Sequence, residues 1–142
     1  MSEVSSSVAA KQAAFADKLS PCSLGGRVRT ANGYYDGKTA DAAGTVINLC
    51  KLPRGARVLP SSKVYFAAGQ TATTTFKAGD AGDDDRYLAA TAAGASKTSL
   101  ALDGNALGDY VLADEGWITV TTGVNALADG VRIAFDIYYV ID

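Results

Sequence analysis

The chain has 142 residues, of which 48% are hydrophobic, and a formal net charge of −2. This length suits one domain whose core can form without a disulfide or a metal, and the scattered Lys and Arg residues argue against binding to nucleic acid through phosphate neutralisation. No apolar run approaches the roughly 18 residues that a membrane span requires, and Glu3, Lys11 and Gln12 make the N-terminus a poor signal peptide, so we expect cytosolic synthesis.

Residues 1–24 form a segment with a composition of its own, which we call the arm. Serines open it, and good helix formers follow between Val8 and Leu19. The apolar face of that stretch holds only Val8, Phe15 and Leu19 among alanines. Because so short a helix is marginal alone, we predict an N-terminal arm or short helix that orders against another surface.

From Gly25 onwards the hydrophobic pattern is alternating, which is typical of strands with one buried face. The predicted strands are 46–52, 57–59, 63–66, 73–76, 99–102, 110–112, 117–121 and 131–141. Gly- and Asp-rich turns separate them at intervals of about 8–12 residues, which favours a sandwich or barrel over a βαβ fold. The alanine-rich stretch 89–95 is compatible with a helix, but Gly94 argues against one. The sequence therefore predicts one all-β domain over residues 25–142.

The last predicted strand has the clearest pattern. One of its faces is wholly apolar and the other is mixed. The apolar face consists of Val131, Ile133, Phe135, Ile137, Tyr139 and Ile141. We expect this strand to be central to the core.

Gly37-Lys38-Thr39 is similar to the end of a phosphate-binding loop. That motif needs a glycine five residues before Gly37, where this chain has Asn32, and a helix after it, because a helix N-terminus holds the phosphate. The following residues 41–44 do not favour a helix. We interpret the segment as a turn between strands.

The segment Asp80–Asp85 is the densest cluster of carboxylates. Calcium takes six or more oxygen ligands, yet the spacing does not match an EF-hand loop and no bidentate Glu follows. Arg86 provides a counter-charge. We interpret the segment as a solvated loop in which one Asp caps a turn, with no metal site.

Catalytic chemistry finds little support in the sequence. The chain has no histidine to serve as a general base and no Gly-x-Ser-x-Gly elbow, although a pair of carboxylates brought together by folding stays open. Cys22 and Cys50 are too far apart for a redox or zinc pair and are interpreted as buried or free thiols rather than a disulfide. We predict no enzyme activity, no catalytic residues, no cofactor and no metal.

The aromatic residues allow two interpretations. Trp117 and the pairs Tyr34-Tyr35 and Tyr138-Tyr139 could form a platform for stacking sugars. Aromatic residues in strands more often serve the core or a subunit interface, and alternation sends one ring of each pair outward. We favour core or interface roles for them.

Three stretches together carry a family resemblance: 52–59 with its Pro-Arg-Gly turn, the carboxylate stretch 78–88, and the final strand ending in Tyr138-Tyr139-Val140. Their order over residues 25–142 resembles the small structural proteins of tailed bacteriophages that decorate or cement the capsid. The resemblance implies a jelly-roll-like β-sandwich without catalytic residues, in proteins that often sit as trimers at local three-fold positions and brace the shell.

The resemblance leads to a specific expectation of function. We expect a virion protein, made in the host cytoplasm, that binds the major capsid protein at the capsid surface and forms a homo-oligomer, in particular a trimer, without nucleic-acid or membrane partners. One alternative is a tail or head-completion protein with the same fold. Another is a calcium-dependent carbohydrate-binding module, which an exposed row of aromatic residues beside Asp80–Asp85 would favour. An arm ordered on another chain would favour the virion protein.

Overall fold

The computed structural model describes residues 27–38, 42–104 and 110–141. In these residues, short stretches of alternating apolar and polar side chains form nine strands, which glycine-rich turns separate. The strands are β1 Arg29–Asp36, β2 Val46–Leu52, β3 Ala56–Val58, β4 Lys63–Phe66, β5 Thr75–Gly79, β6 Leu88–Ala92, β7 Thr98–Ala101, β8 Gly116–Gly123 and β9 Arg132–Ile141. The described residues include no helix, and so none that could cross a membrane. The arm and Cys22 lie outside the described residues.

The strands form two antiparallel sheets. Sheet A has the order β1-β9-β4-β7, with β3 also paired to β9, and sheet B has the order β2-β8-β5-β6. Strands pair from the outside of the chain inwards: β1 with β9, β2 with β8, β4 with β7, and β5 with β6. A long hairpin wrapped into two sheets in this way is a jelly roll. The predicted single-domain β-sandwich is confirmed.

The core lies between the two sheets, and β9 is central to it. Val131, Ile133, Phe135 and Ile137 are buried, while Tyr139 and Ile141 are partly buried against the core. The predicted apolar face of this strand is therefore confirmed. On the opposite face Val140 is also buried, with 3% of its surface exposed, although simple alternation would place it among polar residues.

Sheet B contributes the other half of the core through residues of β5 and β8. Ile118 and Val120 are buried, as their alternation predicts. Phe76 on β5 meets Phe66 on β4 with ring centroids 4.3 Å apart, so this aromatic pair joins the two sheets. Such pairs add about 0.5–1.5 kcal/mol beyond the area that they bury.

The structure differs from the sequence prediction at the sheet edges. β1 was not predicted, and the stretch considered for a helix, 89–95, instead contains most of β6 and then Gly94 at φ +77°. The predicted strand 110–112 has one isolated bridge, between Val111 and Arg57. β1 and β6 lie at the edges of their sheets, and few of their side chains, such as Tyr35 and Leu88, pack against the core, so their apolar alternation is weak.

Candidate functional site

The loop between β5 and β6 is organised by one buried carboxylate, Asp80, which is 7% exposed. Its Oδ1 accepts hydrogen bonds from the backbone N–H groups of Gly82 (2.9 Å) and Asp83 (3.1 Å). Its Oδ2 accepts one from the Nε of Arg86 (2.8 Å) and lies 3.5 Å from the Tyr87 hydroxyl that donates to it. Asp80 thus caps the turn and Arg86 balances its charge, as the sequence indicated.

Two further contacts fix this loop against the body. The guanidinium of Arg86 lies 3.5 Å from the ring centroid of Tyr110, a cation–π contact. At Gly79, an added Cβ would lie 2.1 Å from the carbonyl oxygen of Asp83, so the loop backbone packs directly on the end of β5. The position of the loop therefore depends on Gly79 and on the Arg86–Asp80 ion pair, whose guanidinium stacks on Tyr110.

The remaining carboxylates of the loop, Asp83, Asp84 and Asp85, have side-chain oxygens within 4.8 Å of one another. The Nζ of Lys77 lies 2.7 Å from Asp84. A hydrogen bond between the side chains of Asp83 and Asp85 lowers the pKa of Asp83 and raises the pKa of Asp85. Lys77 thus offsets part of the negative charge of the cluster, and the expectation of no metal stays a prediction.

Beside this loop, the outer face of sheet B forms an open groove of about 750 Å³, which we call the sheet B groove. Its floor contains Thr119 and Thr121 of β8, and Asn48 faces them from β2. Trp117 stands in the groove with 45% of its surface exposed. The Nζ of Lys51 lies 5.9 Å from the Trp117 ring centroid and 2.7 Å from Glu115.

A second set of exposed aromatic residues lies on the outer face of sheet A. Tyr34 of β1 and Tyr65 of β4 flank Ala134 in one register row, with exposed fractions of 62% and 39%. The guanidinium of Arg132 lies 3.8 Å from the Tyr34 ring centroid and pairs with Asp36, and this hydrogen bond lowers the pKa of Asp36.

The predicted aromatic platform is therefore divided between two sheets. Tyr34 and Tyr138 project from the outer face of sheet A, whereas Tyr35 and Tyr139 pack against the core, so alternation does send one ring of each pair outward. Among the described residues that line the sheet B groove, Trp117 is the one aromatic residue. The row of aromatic residues beside Asp80–Asp85 that would favour a calcium-dependent carbohydrate module is not found in the described structure.

Gly37 has a structural role in the described part of the molecule. Its N–H donates to the carbonyl of Val131 (2.9 Å), and its carbonyl accepts from the N–H of Gly130 (2.8 Å). A Cβ at Gly37 would lie 2.2 Å from the carbonyl oxygen of Ala128. Close backbone packing accounts for this glycine without a phosphate, while Thr39 lies outside the described residues.

Cys50 is a free, partly buried thiol on β2. Burial raises its pKa to about 11. Because the thiolate is both the nucleophile and the metal ligand, this cysteine is poorly suited to either role at neutral pH.

No protein-family model and no curated protein matches the sequence. A chain in the solved capsid of Ralstonia phage GP4 is 21% identical with a TM-score of 0.66, and the match covers 82% of this chain and 86% of that one. The fold is shared with chains of phage capsids.

Two further solved structures show the same likeness. A chain in the cyanophage Pam1 capsid asymmetric unit is 21% identical, with a TM-score of 0.58 and full coverage of both chains. A chain in the acid-stable capsid of Helicobacter pylori bacteriophage KHP30 is 20% identical, with a TM-score of 0.54, and the match covers 80% of this chain and 87% of that one. At such identities the likeness concerns the fold.

The sequence interpretation identified Trp117 and the carboxylate loop but missed the rest of the sheet B groove. Asn48 is exposed on β2, and Thr119 and Thr121 lie on the outer face of β8, where neighbouring groups leave them 9% and 8% exposed. In the sequence of β8, threonines alternate with the core residues Ile118 and Val120, and this alternation indicated that the threonines lie on the outer face of the sheet. What it lacked was the register of β2 on β8, which places Asn48 opposite Thr119.

Proposed function

We propose that this chain is a structural, non-enzymatic protein of a bacteriophage virion, which decorates the capsid surface and stabilises it by binding the lattice of the major capsid protein. The observation that carries the proposal is the shared fold over 80–100% of the chain with chains from three phage capsids.

The outer face of sheet A supports a role in protein packing. It exposes Tyr34, Tyr65 and Val28, with Arg132 stacked on the first of these. Tyr and Arg are enriched at protein interfaces, where large rigid rings add contact area at low entropic cost. This face is therefore the surface that we expect to meet a neighbouring protein in the virion.

In the same proposal the protein is a homo-oligomer, specifically a trimer, whose arm reaches a neighbouring subunit or the capsid. Many copies on one shell would each need only a weak contact, because joint engagement multiplies the effective affinity. Light scattering coupled to size-exclusion chromatography gives the number of subunits directly. A strictly monomeric species at high concentration contradicts the trimer.

Counting copies of this chain in the purified particle tests the capsid role. Hundreds of copies per particle are the expected result for a decoration protein. A dozen or fewer would instead indicate a tail or head-completion protein. Absence from the particle overturns the virion proposal altogether.

A binding assay refines the test. Capsid shells that lack this protein should bind the purified chain and then withstand heating better than bare shells. Tyr65→Ala should weaken that binding. Val124→Ala is the matched control, because Val124 is an exposed apolar residue directly after β8 of sheet B. Equal binding by both variants removes the outer face of sheet A from the proposal.

A further inference from the structure

We propose that the sheet B groove is a binding site for a neutral saccharide, with the sugar ring stacked on Trp117. The proposal goes beyond the virion role and does not depend on it. The groove volume of about 750 Å³ lies within the range of about 300–1,000 Å³ that is typical of small-ligand sites. The groove follows the outer face of β2 and β8 and is bounded by the loop that Asp80 organises.

The charges around the groove are paired, which favours a neutral ligand. Lys51 pairs with Glu115 at 2.7 Å. Asp84 pairs with Lys77 at 2.7 Å. Asp80 pairs with Arg86 at 2.8 Å and is held by backbone N–H groups. Each described charged residue that lines the groove thus has a partner of opposite sign, so a phosphate or a divalent cation would have to displace an existing ion pair.

The remaining lining residues match the two surfaces of a sugar. A sugar ring has an apolar C–H face, which stacks on an aromatic ring, and hydroxyl groups around its edge. Trp117, with 45% of its surface exposed, can stack on the apolar C–H face of the sugar. For the hydroxyl groups of the sugar, the exposed Asn48 amide supplies a donor and an acceptor. Thr119 and Thr121 on the groove floor are 9% and 8% exposed, and the Thr119 hydroxyl donates to the carbonyl of Gly79, so this hydroxyl can only accept from a ligand. These polar groups lie on two paired strands of a sheet, which holds them in fixed positions.

The same lining is less suitable for a protein partner. The large exposed apolar residues in the groove are Trp117 and Val46, and they lie at different ends of the β2–β8 pair. Between them the floor carries threonine hydroxyls. The centre of a protein interface is usually apolar and depleted in charge, whereas Lys51, Asp80, Asp84 and Glu115 are all among the residues that line this groove.

Trp117 provides a direct readout, because it is the single tryptophan of the chain. Neutral hexasaccharides of glucose, mannose, galactose, xylose and rhamnose would be titrated into the full-length protein at millimolar concentrations. At least one should change the Trp117 emission and protect it from quenching by acrylamide. The change should be the same in calcium and in chelator, since no cation takes part.

Single-residue variants distinguish binding in the sheet B groove from non-specific binding of sugar elsewhere on the protein surface. In saturation-transfer NMR or calorimetry, Trp117→Ala should weaken the bound hexasaccharide at least about tenfold, because it removes the stacking surface. Asn48→Ala, at an exposed position, should also weaken binding. Tyr34→Ala is the matched control, since it removes an exposed ring from sheet A. Circular dichroism verifies that each variant is folded.

Three results would overturn the proposal. The first is no binding of any hexasaccharide by either method. The second is undiminished binding by both Trp117→Ala and Asn48→Ala. The third is an emission change that follows protein concentration without sugar, which would show that the groove packs against a second copy.

Discussion

Phe135 is a large buried side chain of β9, with 6% of its surface exposed, and its ring lies close to Gly33 on the paired strand β1. We predict that Phe135→Ala lowers the free energy of unfolding by about 3–5 kcal/mol, because it removes buried apolar atoms and leaves a cavity. Urea unfolding followed by circular dichroism measures this. Tyr34→Ala, on the exposed face of β1, should cost less than about 1 kcal/mol. A similarly small loss for Phe135→Ala would mean that the register of β9 is wrong.

Cys50 gives a prediction with a defined pH dependence. Its pKa is raised by burial from 9.0 to about 11, so at pH 8 its thiolate fraction is about a hundredfold below that of an ordinary cysteine. We expect Ellman's reagent to react correspondingly slowly in a Cys22→Ser variant, where Cys50 alone reports. The rate should rise about tenfold per pH unit up to pH 11. Labelling at the rate of a free thiol would contradict the burial.

At the scale of single elements, the turn after β8 contains a strained residue. Val124 has φ +69° and is 71% exposed. This left-handed conformation costs an L-residue with a Cβ about 1–2 kcal/mol, and asparagine tolerates it better. We therefore predict that Val124→Asn raises the free energy of unfolding by about 1 kcal/mol. Val46→Asn is the control, since Val46 is an exposed valine within a regular strand and should give no gain.

The carboxylate loop gives a prediction about metal. Its acids are already engaged, Asp80 by Arg86 and Asp84 by Lys77. We predict that thermal melts in 5 mM calcium and in chelator coincide, because a ligand that binds the folded state must raise its stability. Magnesium serves as the ionic-strength control. An upward shift specific to calcium would show that the loop binds the ion.

A strand could be predicted from the sequence where one of its faces is buried and the other is exposed, because its apolar residues then alternate with polar ones. β8 and β9 were predicted because one face of each is apolar and the other is not. β1 and β6 are edge strands whose exposed residues carry little alternation, and alanine-rich β6 has the composition of a helix. Their conformation is set by pairing with a neighbour rather than by intrinsic preference.

One of the two candidate sites could be predicted from the sequence and the other could not. The turn capped by Asp80 was predictable, because the residues involved lie within seven positions of one another. The sheet B groove was not, because Asn48 and Thr119 come from strands more than 60 residues apart and only the register brings them together.

For the whole molecule, the division between arm and body makes a testable prediction. Removing residues 1–20 should leave the melting temperature of the body nearly unchanged, because the described core lies within residues 47–140. Capsid attachment or oligomer stability should fall. Burying one Phe or Leu contributes about 1.5–3 kcal/mol, enough to order a short segment on a ready surface.

A point variant provides the matched control for this deletion. Full-length protein with both Phe15→Ser and Leu19→Ser keeps the length and charge of the arm while losing two of the three residues of its apolar face. It should behave like the deletion in attachment and assembly assays. A truncated protein that assembles and binds the particle as well as the intact chain would end the arm hypothesis.

The position of β9 in sheet A also sets a time order on synthesis. Among the named strands, β1 and β3 pair with β9 alone, and β4 pairs with both β7 and β9. Sheet A therefore stays incomplete until residues 132–141 have left the ribosome. A nascent chain stalled before residue 132 already contains all four strands of sheet B, in which β8 pairs with β2 and β5. Its sheet A still lacks β9. The chain thus completes sheet A, including its outer face, only after residues 132–141 have been translated.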